Sequence, residues 1–266
     1  MKKAQRNEKF RTKKRFGQHF LISEGIIKKI VDEIEIEPED IIIEIGVGTG
    51  QLTKEILKRN PKKLYGIEID KTAYEIIKEK FKDFPNFELI EKDYFDVNLY
   101  ELADNQKIKL VGNLPYNVSS LILVDAAFKI DILKLCVFMI QKEVAEKLIA
   151  KLRTKNFTFL TVFIQTFFDV EYVMSVPARF FSPPPKVTSA VVKLIPKQNI
   201  PVENVKDFKK FVSNLFSQRR KMLRTKINEE ILKKAGINPK ARVEELDKDS
   251  ILRLYLVSKE FSSETW

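Results

Sequence analysis

A single cysteine and a single histidine set the first limits on this 266-residue chain. Cys136 can form no internal disulfide. It lies in the apolar run from Leu133 to Ile140, where a lone thiol packs as a small core side chain. One cysteine and one histidine cannot assemble a Cys/His zinc site. A hydrolase that needs a histidine base is left with His19 alone. Long apolar stretches are missing too: no run approaches the ~18 residues that a membrane span requires. The amino terminus is basic and lacks the apolar core of a secretory signal, so a cytoplasmic location is expected. Glycine is scarce, with only eight, beside abundant Lys, Glu and Ile, a composition suited to a heat-adapted source.

Positive charge is what the chain has in excess. Lys and Arg number 48 against 37 Asp and Glu, a formal net charge of +11. A soluble chain this basic is expected to meet a polyanion, nucleic acid before anionic membrane. The charge is clustered. Residues 1–15 hold eight Lys/Arg and one Glu without apolar periodicity, a flexible arm of the kind that contacts phosphates. A second cluster, Lys206 to Lys226, holds eight Lys/Arg and one Asp. Its centre, Gln218-Arg219-Arg220-Lys221 followed by Arg224, is expected to begin a helix whose arginines reach phosphates and exposed bases. The competing reading of that cluster is a solvated basic helix face.

Between these clusters, strand and helix patterns alternate. Ile41 to Ile45, Lys63 to Ile69, Phe87 to Ile90, Ile108 to Val111 and Leu133 to Ile140 read as strands, with helical patterns after all but the third. Repeated β-α-β units predict a Rossmann-like α/β fold with a mostly parallel sheet covered by helices on both faces. Phe159 to Met174 and Val187 to Ile195 read as two further β-rich runs, an antiparallel pair completing the sheet. After Pro196 the pattern turns helical. The expected division is residues 1–197, a Rossmann-like domain with its basic arm, and residues 198–266, a small all-helical domain that binds RNA or the ribosome.

The loop Gly46-Val47-Gly48-Thr49-Gly50 follows the first strand of this pattern and opens a helix. Glycines let the backbone turn sharply and approach a ligand closely. Glu68 ends the next strand, about 20 residues on, where an acid binds both hydroxyls of a ribose. This fits a dinucleotide or S-adenosylmethionine. The G-x-G-x-G spacing, rather than G-x-G-x-x-G, favours S-adenosylmethionine, which has no pyrophosphate to cradle. A purely structural βα turn is the plain alternative. Asp93 ends the third strand, where a carboxylate can accept a hydrogen bond from the cofactor's adenine amino group or simply cap a turn.

Asn113-Leu114-Pro115-Tyr116 follows the fourth strand. Proline has no N–H for a sheet ladder, so the stretch is a rigid loop at a strand's carboxyl end, where α/β folds place ligands. The Asn113 side-chain oxygen and the Leu114 carbonyl can both accept hydrogen bonds from a planar NH2 group. Tyr116 offers a flat face on which a base can stack. This motif alone fits amino methylation of DNA, RNA or protein glutamine.

Six motifs, in order, resemble the KsgA/RsmA ribosomal RNA adenine dimethyltransferases. They are Phe16 to Leu21, Glu44 to Thr53, Asn113 to Asn117, Met139 to Ala145, Phe181 to Ser189, and Gln218 to Lys221 with Leu223. The resemblance spans about residue 14 to about residue 258. It implies dimethylation, from S-adenosylmethionine to give S-adenosylhomocysteine, of two adjacent adenines near the 3′ end of small-subunit (16S) ribosomal RNA. It implies the 30S particle as partner, no membrane, and a protein acting as a monomer in ribosome biogenesis. It places the cofactor against His19, Leu21, Gly46, Glu68, Asp93 and Asn113. The family commonly has Asn where this chain has His19. The adenine, flipped from its stack, is expected between Tyr116 and Phe181, although Phe181 before a proline turn also suits plain core packing. Arg219, Arg220, Lys221 and Arg224 are the expected RNA contacts. The sulfonium is itself the electrophile, so no metal is needed. The rivals are the large-subunit rRNA adenine methyltransferases of antibiotic resistance, a non-catalytic assembly factor on the same fold, and a DNA adenine methyltransferase. Leu114, the run from Gln141 to Ala145 and the segment from Ser182 to Val187 favour the small-subunit family over the first. An intact Glu68, Asp93 and Asn113 set argues against the second. The third would need an extra target-recognition region for which the chain has little room.

Overall fold

The structure, a computed structural model, describes residues 19–263, with side chains through Phe261. The basic arm over residues 1–15 lies outside the described residues. Seven strands form one sheet: β2 (Ile41–Ile45), β3 (Lys63–Glu68), β4 (Phe87–Glu91), β5 (Ile108–Asn113), β6 (Leu133–Gln141), β7 (Phe168–Val176) and β9 (Ser189–Pro196). Their spatial order is β4-β3-β2-β5-β6-β9-β7. All neighbours are parallel except around β9, which runs against both β6 and β7. A separate two-residue pair joins β1 (Phe20–Leu21) to β8 (Phe181–Ser182), antiparallel.

Burial on both faces explains why β2 reads as an unbroken apolar run rather than an alternating one. Ile41, Ile43 and Ile45 enter one core, and Ile42 enters the other. The period of two puts Glu44 on the Ile42 face. On that face pack α1 (Glu24–Glu33), α2 (Gln51–Leu57) and α3 (Lys71–Lys80), through Ile27, Ile56 and Ile77 among others. On the other pack α4 (Leu99–Ala103), α5 (Ser119–Phe128), α6 (Lys142–Leu148) and α7 (Phe159–Phe167). The chain passes from β4, at one edge, back across to β5 beside β2. That reversal opens a crevice at the carboxyl ends of the strands.

Two expectations need correction. Phe159 to Met174 is not one β-rich run: Phe159–Phe167 is helical and the strand begins at Phe168. An apolar segment buried all round has no polar face to reveal its period, and its Thr, Val, Ile and Phe content mimics a strand. The helical signal was present as Phe159, Phe163 and Phe167, four residues apart, whose rings meet at 5.3 and 5.2 Å. Gln218-Arg219-Arg220-Lys221 does not begin a helix either. It follows the end of α8 (Val205–Ser217), where Gln218 leaves helical dihedrals at φ −137° and ψ 63°.

The change of texture expected near residue 198 falls between the end of β9 at Pro196 and the start of α8 at Val205. Beyond it lie α8, α9 (Glu229–Lys234) and α10 (Lys248–Ser263). These helices add to the α7 core rather than enclosing a separate one. The Phe208 ring lies 6.1 Å from Phe163 and 5.0 Å from Tyr255.

Candidate active site

The crevice at the strand ends holds a cavity of about 350 Å³, within the range of small-ligand pockets. His19, Leu21, Gly46, Glu68, Asp93, Asn113, Leu114 and Tyr116 all line it. These eight residues are scattered over almost a hundred positions, and the strand order brings them to one rim.

The glycine loop shapes one wall. Gly50 has φ +72°, and a Cβ there would sit 2.6 Å from the Phe81 ring, so both conformation and space demand glycine. Gly48 donates its N–H to Glu68 Oε2 at 2.8 Å. Glu68 Oε1 accepts from the Asp70 N–H at 2.9 Å. Burial raises the Glu68 pKa, and the two backbone donors work against that rise. A carboxylate has about four acceptor positions, so capacity remains beyond these bonds for ligand hydroxyls. Asp93 caps the turn, Oδ1 accepting from the Phe95 N–H at 3.0 Å, and the residue also lines the cavity.

Gly112 lets β5 come close enough for the opposite wall. A Cβ at that position would lie 2.5 Å from the Ile45 carbonyl oxygen. Immediately after it, Asn113 donates Nδ2–H to the His19 carbonyl at 3.0 Å. That bond uses the amide's donor side and leaves Oδ1 as an acceptor with no partner among the described residues. The Leu114 N–H is used by the Met139 carbonyl at 3.0 Å, whereas the Leu114 carbonyl accepts no hydrogen bond from the described residues. Tyr116 is half-buried, its ring stacked on His19 at 5.9 Å with an interplanar angle of 28°.

Two of the expected residues are placed elsewhere. Phe181 does not line the cavity. It is buried opposite Leu21 in the β1–β8 pair, inside the same core as Ile27 and Val176. It supports the strap that carries His19 rather than facing a base. Arg219 is turned inward: Nη2 donates to the Phe157 carbonyl at 2.9 Å, and the guanidinium lies 5.9 Å from the Phe216 ring. Arg220, Lys221 and Arg224 are exposed, as expected of phosphate contacts, and none is ion-paired among the described residues.

Glu44 opens the glycine motif, and its residue type alone assigns it no role there. It lines the cavity, is buried, and accepts a hydrogen bond from Thr53 Oγ1 at 2.6 Å. Burial pushes its carboxyl up to about 8, and the Glu68 charge adds to the rise. An acid inside an otherwise apolar strand was the available signal. Ile69 and Phe95, 48% and 47% exposed, give the cavity an apolar wall beside Glu68 and Asp93.

A parallel sheet with a reversed edge, a glycine turn after its first sheet strand, and acids at or just beyond the ends of the next two define a Rossmann-like methyltransferase of the S-adenosylmethionine-dependent class. Its donor set suits that cofactor: paired carboxylate oxygens, a glycine turn open to close approach, and apolar surface for a purine. The chain belongs to the ribosomal RNA adenine dimethylase family, whose model matches residues 9–260. It is 66% identical over 248 residues to ribosomal RNA small subunit methyltransferase A of Sulfurihydrogenibium sp. (strain YO3AOP1), covering 93% of this chain and 96% of that one. Identity to the protein of the same name from Persephonella marina is also 66%, over 92% and 93% of the two chains. Among solved structures it resembles a dimethyladenosine transferase from Plasmodium falciparum, with a TM-score of 0.79, 28% identity and coverage of 92% and 98%. It also resembles the 23S rRNA methyltransferase ErmE, with a TM-score of 0.69, 27% identity and coverage of 90% and 98%.

Proposed function

We propose that this protein dimethylates the exocyclic amino groups of two adjacent adenines near the 3′ end of small-subunit ribosomal RNA, acting on the 30S particle. The observation that carries the reading is a pair of acceptors that take no hydrogen bond from the described residues, Asn113 Oδ1 and the Leu114 carbonyl, on residues lining the same cavity as Glu68 and Asp93. The 66% identity to proteins named for the small subunit favours that RNA over the large-subunit one.

When bound, S-adenosylmethionine supplies a methyl group on a cationic sulfur and leaves as S-adenosylhomocysteine. Glu68, Asp93, Gly46, His19, Leu21 and Asn113 would hold it. The adenine nitrogen is a poor nucleophile because its lone pair is delocalised into the ring. Two acceptors aimed at its protons favour a more tetrahedral nitrogen and localise that pair. Tyr116 supplies the stacking face. Positioning and electrostatics therefore carry the catalysis, with no metal and no base needed beforehand. The proton leaves once the nitrogen has become cationic.

Residues 198–266 are proposed to form the particle-binding part, through Arg220, Lys221 and Arg224. Arg219 acts there as a structural joint. The working state is proposed to be a cytoplasmic monomer. Among the described residues, no helix is long and apolar enough to cross a membrane.

The test is to incubate the protein with labelled S-adenosylmethionine and, separately, unmethylated small-subunit particles, large-subunit RNA and DNA, and to map the modified bases. Two adjacent dimethyladenines in the small-subunit RNA are expected. Asn113→Ala is expected to cut turnover by roughly 100-fold or more, as for loss of a preorganised polar group, with particle binding unchanged. Label confined to large-subunit RNA or DNA overturns the reading.

A further inference from the structure

Tyr116 is held from two sides by residues distant in sequence. Its hydroxyl lies 2.7 Å from Ser189 Oγ. Its ring stacks on His19, whose Nδ1–H donates to the Pro183 carbonyl at 2.8 Å. Ser189 is completely buried at the first residue of β9, between Gln141 of β6 and Val176 of β7. It therefore cannot touch a substrate, and its backbone is fixed by strands on either side. A tyrosine that served only as a loose stacking surface would need no such anchor. The hydroxyl bond removes rotation about the loop, and the imidazole covers one ring face, leaving the other for a base.

We propose that Ser189 is a positioning residue for methyl transfer: through the Tyr116 hydroxyl it fixes the angle of the stacking ring, and so the reach of the adenine amino group to Asn113. This rests on the adenine methylation proposed above. Burial raises the Tyr116 pKa and the bond to Ser189 works against that rise. Ser189 acts on the arrangement of the bound base and not on the cofactor, whose wall lies at Gly46, Glu68 and Asp93.

A double-mutant cycle tests this, using full-length S189A, Y116F and the double variant with small-subunit particles. S189A removes one oxygen from a buried site and Y116F removes one hydroxyl, so both are expected to fold, as thermal melts will check. Each single change is expected to lower kcat about tenfold, the scale of one lost hydrogen bond. The affinity for S-adenosylmethionine by calorimetry should be unchanged, and the double variant should be no slower than either single one. That non-additivity is the signature of action through the tyrosine hydroxyl. Losses that multiply to about a hundredfold, an S189A enzyme as fast as the wild type, or an S189A variant weakened in cofactor binding would each overturn the proposal. A wild-type enzyme that methylates no adenine defeats the functional reading instead, before the cycle is run.

Discussion

Glu44 shows how one residue can carry a pH dependence for the whole chain. It is buried on the cavity side of β2, with Thr53 as its hydroxyl partner and Glu68 as a like charge nearby. Its carboxyl is pushed from 4.5 to about 8 by burial first and by Glu68 second. The folded state therefore favours the protonated form. The sign follows from linkage: the stabilising contribution is complete below about 4.5, the ordinary value, and is lost as pH rises through about 8. At about 1.4 kcal/mol for each pH unit of separation, the effect amounts to several kcal/mol. Wild-type protein is expected to lose melting temperature between pH 5 and pH 8. Glu44→Gln, which keeps the shape and the acceptor for Thr53, should lose much less. Glu68 is raised for the same reason, so some slope should survive. Parallel thermal melts of the two proteins across that range measure the difference. Equal slopes would show that Glu44 is ionised in the fold.

At the scale of elements, the turn after α8 joins two segments that are far apart in sequence. Arg219 donates to the Phe157 carbonyl, and the Phe157 and Phe216 rings meet at 6.2 Å. The backbone of the next residues is tied again, with Leu223 N–H to the Ala241 carbonyl at 2.8 Å and Arg224 N–H to the Pro239 carbonyl at 3.0 Å. The turn that carries Arg220 and Lys221 is thus pinned at both ends while their side chains stay exposed. Arg219→Ala leaves a carbonyl without its donor and is expected to cost about 1–3 kcal/mol. A fall in Tm of several degrees in a scan is the corresponding readout. Arg220→Ala should leave Tm within about a degree, as for an exposed side chain. If the two variants melt alike, the inward placement of Arg219 is not a structural joint.

The whole molecule carries a net charge of +11, but many of its cations are already partnered. Lys109 lies 2.6 Å from Asp40 with both side chains 3% exposed, and Lys134 reaches Asp40 at 2.9 Å. Burial alone would raise Asp40; the hydrogen bonds from Lys109 and Lys134 outweigh it and hold the carboxyl below its ordinary value. These pairs tie the loop before β2 to β5 and β6, at the end of the sheet away from the cavity. With Glu37 also paired to Lys134, these two lysines have no charge to spare for a polyanion. The exposed cations without ion pairs, such as Arg220, Lys221 and Arg224, are the ones available to phosphates. Replacing those three by alanine should reduce the slope of log affinity against log salt by about 2–3, near one per phosphate contact. A filter-binding titration with the particle between low and moderate salt reads that slope. An unchanged slope would remove these residues from the interface.

Much of this was legible in the chain itself. Strands buried on both faces announce themselves as runs such as Ile41 to Ile45, and the glycines and acids that end them mark a crevice, because local backbone geometry dictates where only glycine or a capping acid will serve. Asn113-Leu114-Pro115-Tyr116 marks the rim of the same crevice, because proline cannot continue the ladder of the strand that ends there. What remained hidden depended on partners remote in sequence. Helix α7 was hidden because burial by α8 and α10 erases its polar face. Phe181 and Arg219 point inward because Leu21 and the Phe157 carbonyl happen to meet them. Ser189 lies 73 residues from the tyrosine it holds, and Lys109 pairs with Asp40, in the loop before the neighbouring strand. Sequence pattern records the preference of each residue for a backbone shape and for burial. Which buried residue meets which is decided only when the sheet order and its helices are in place.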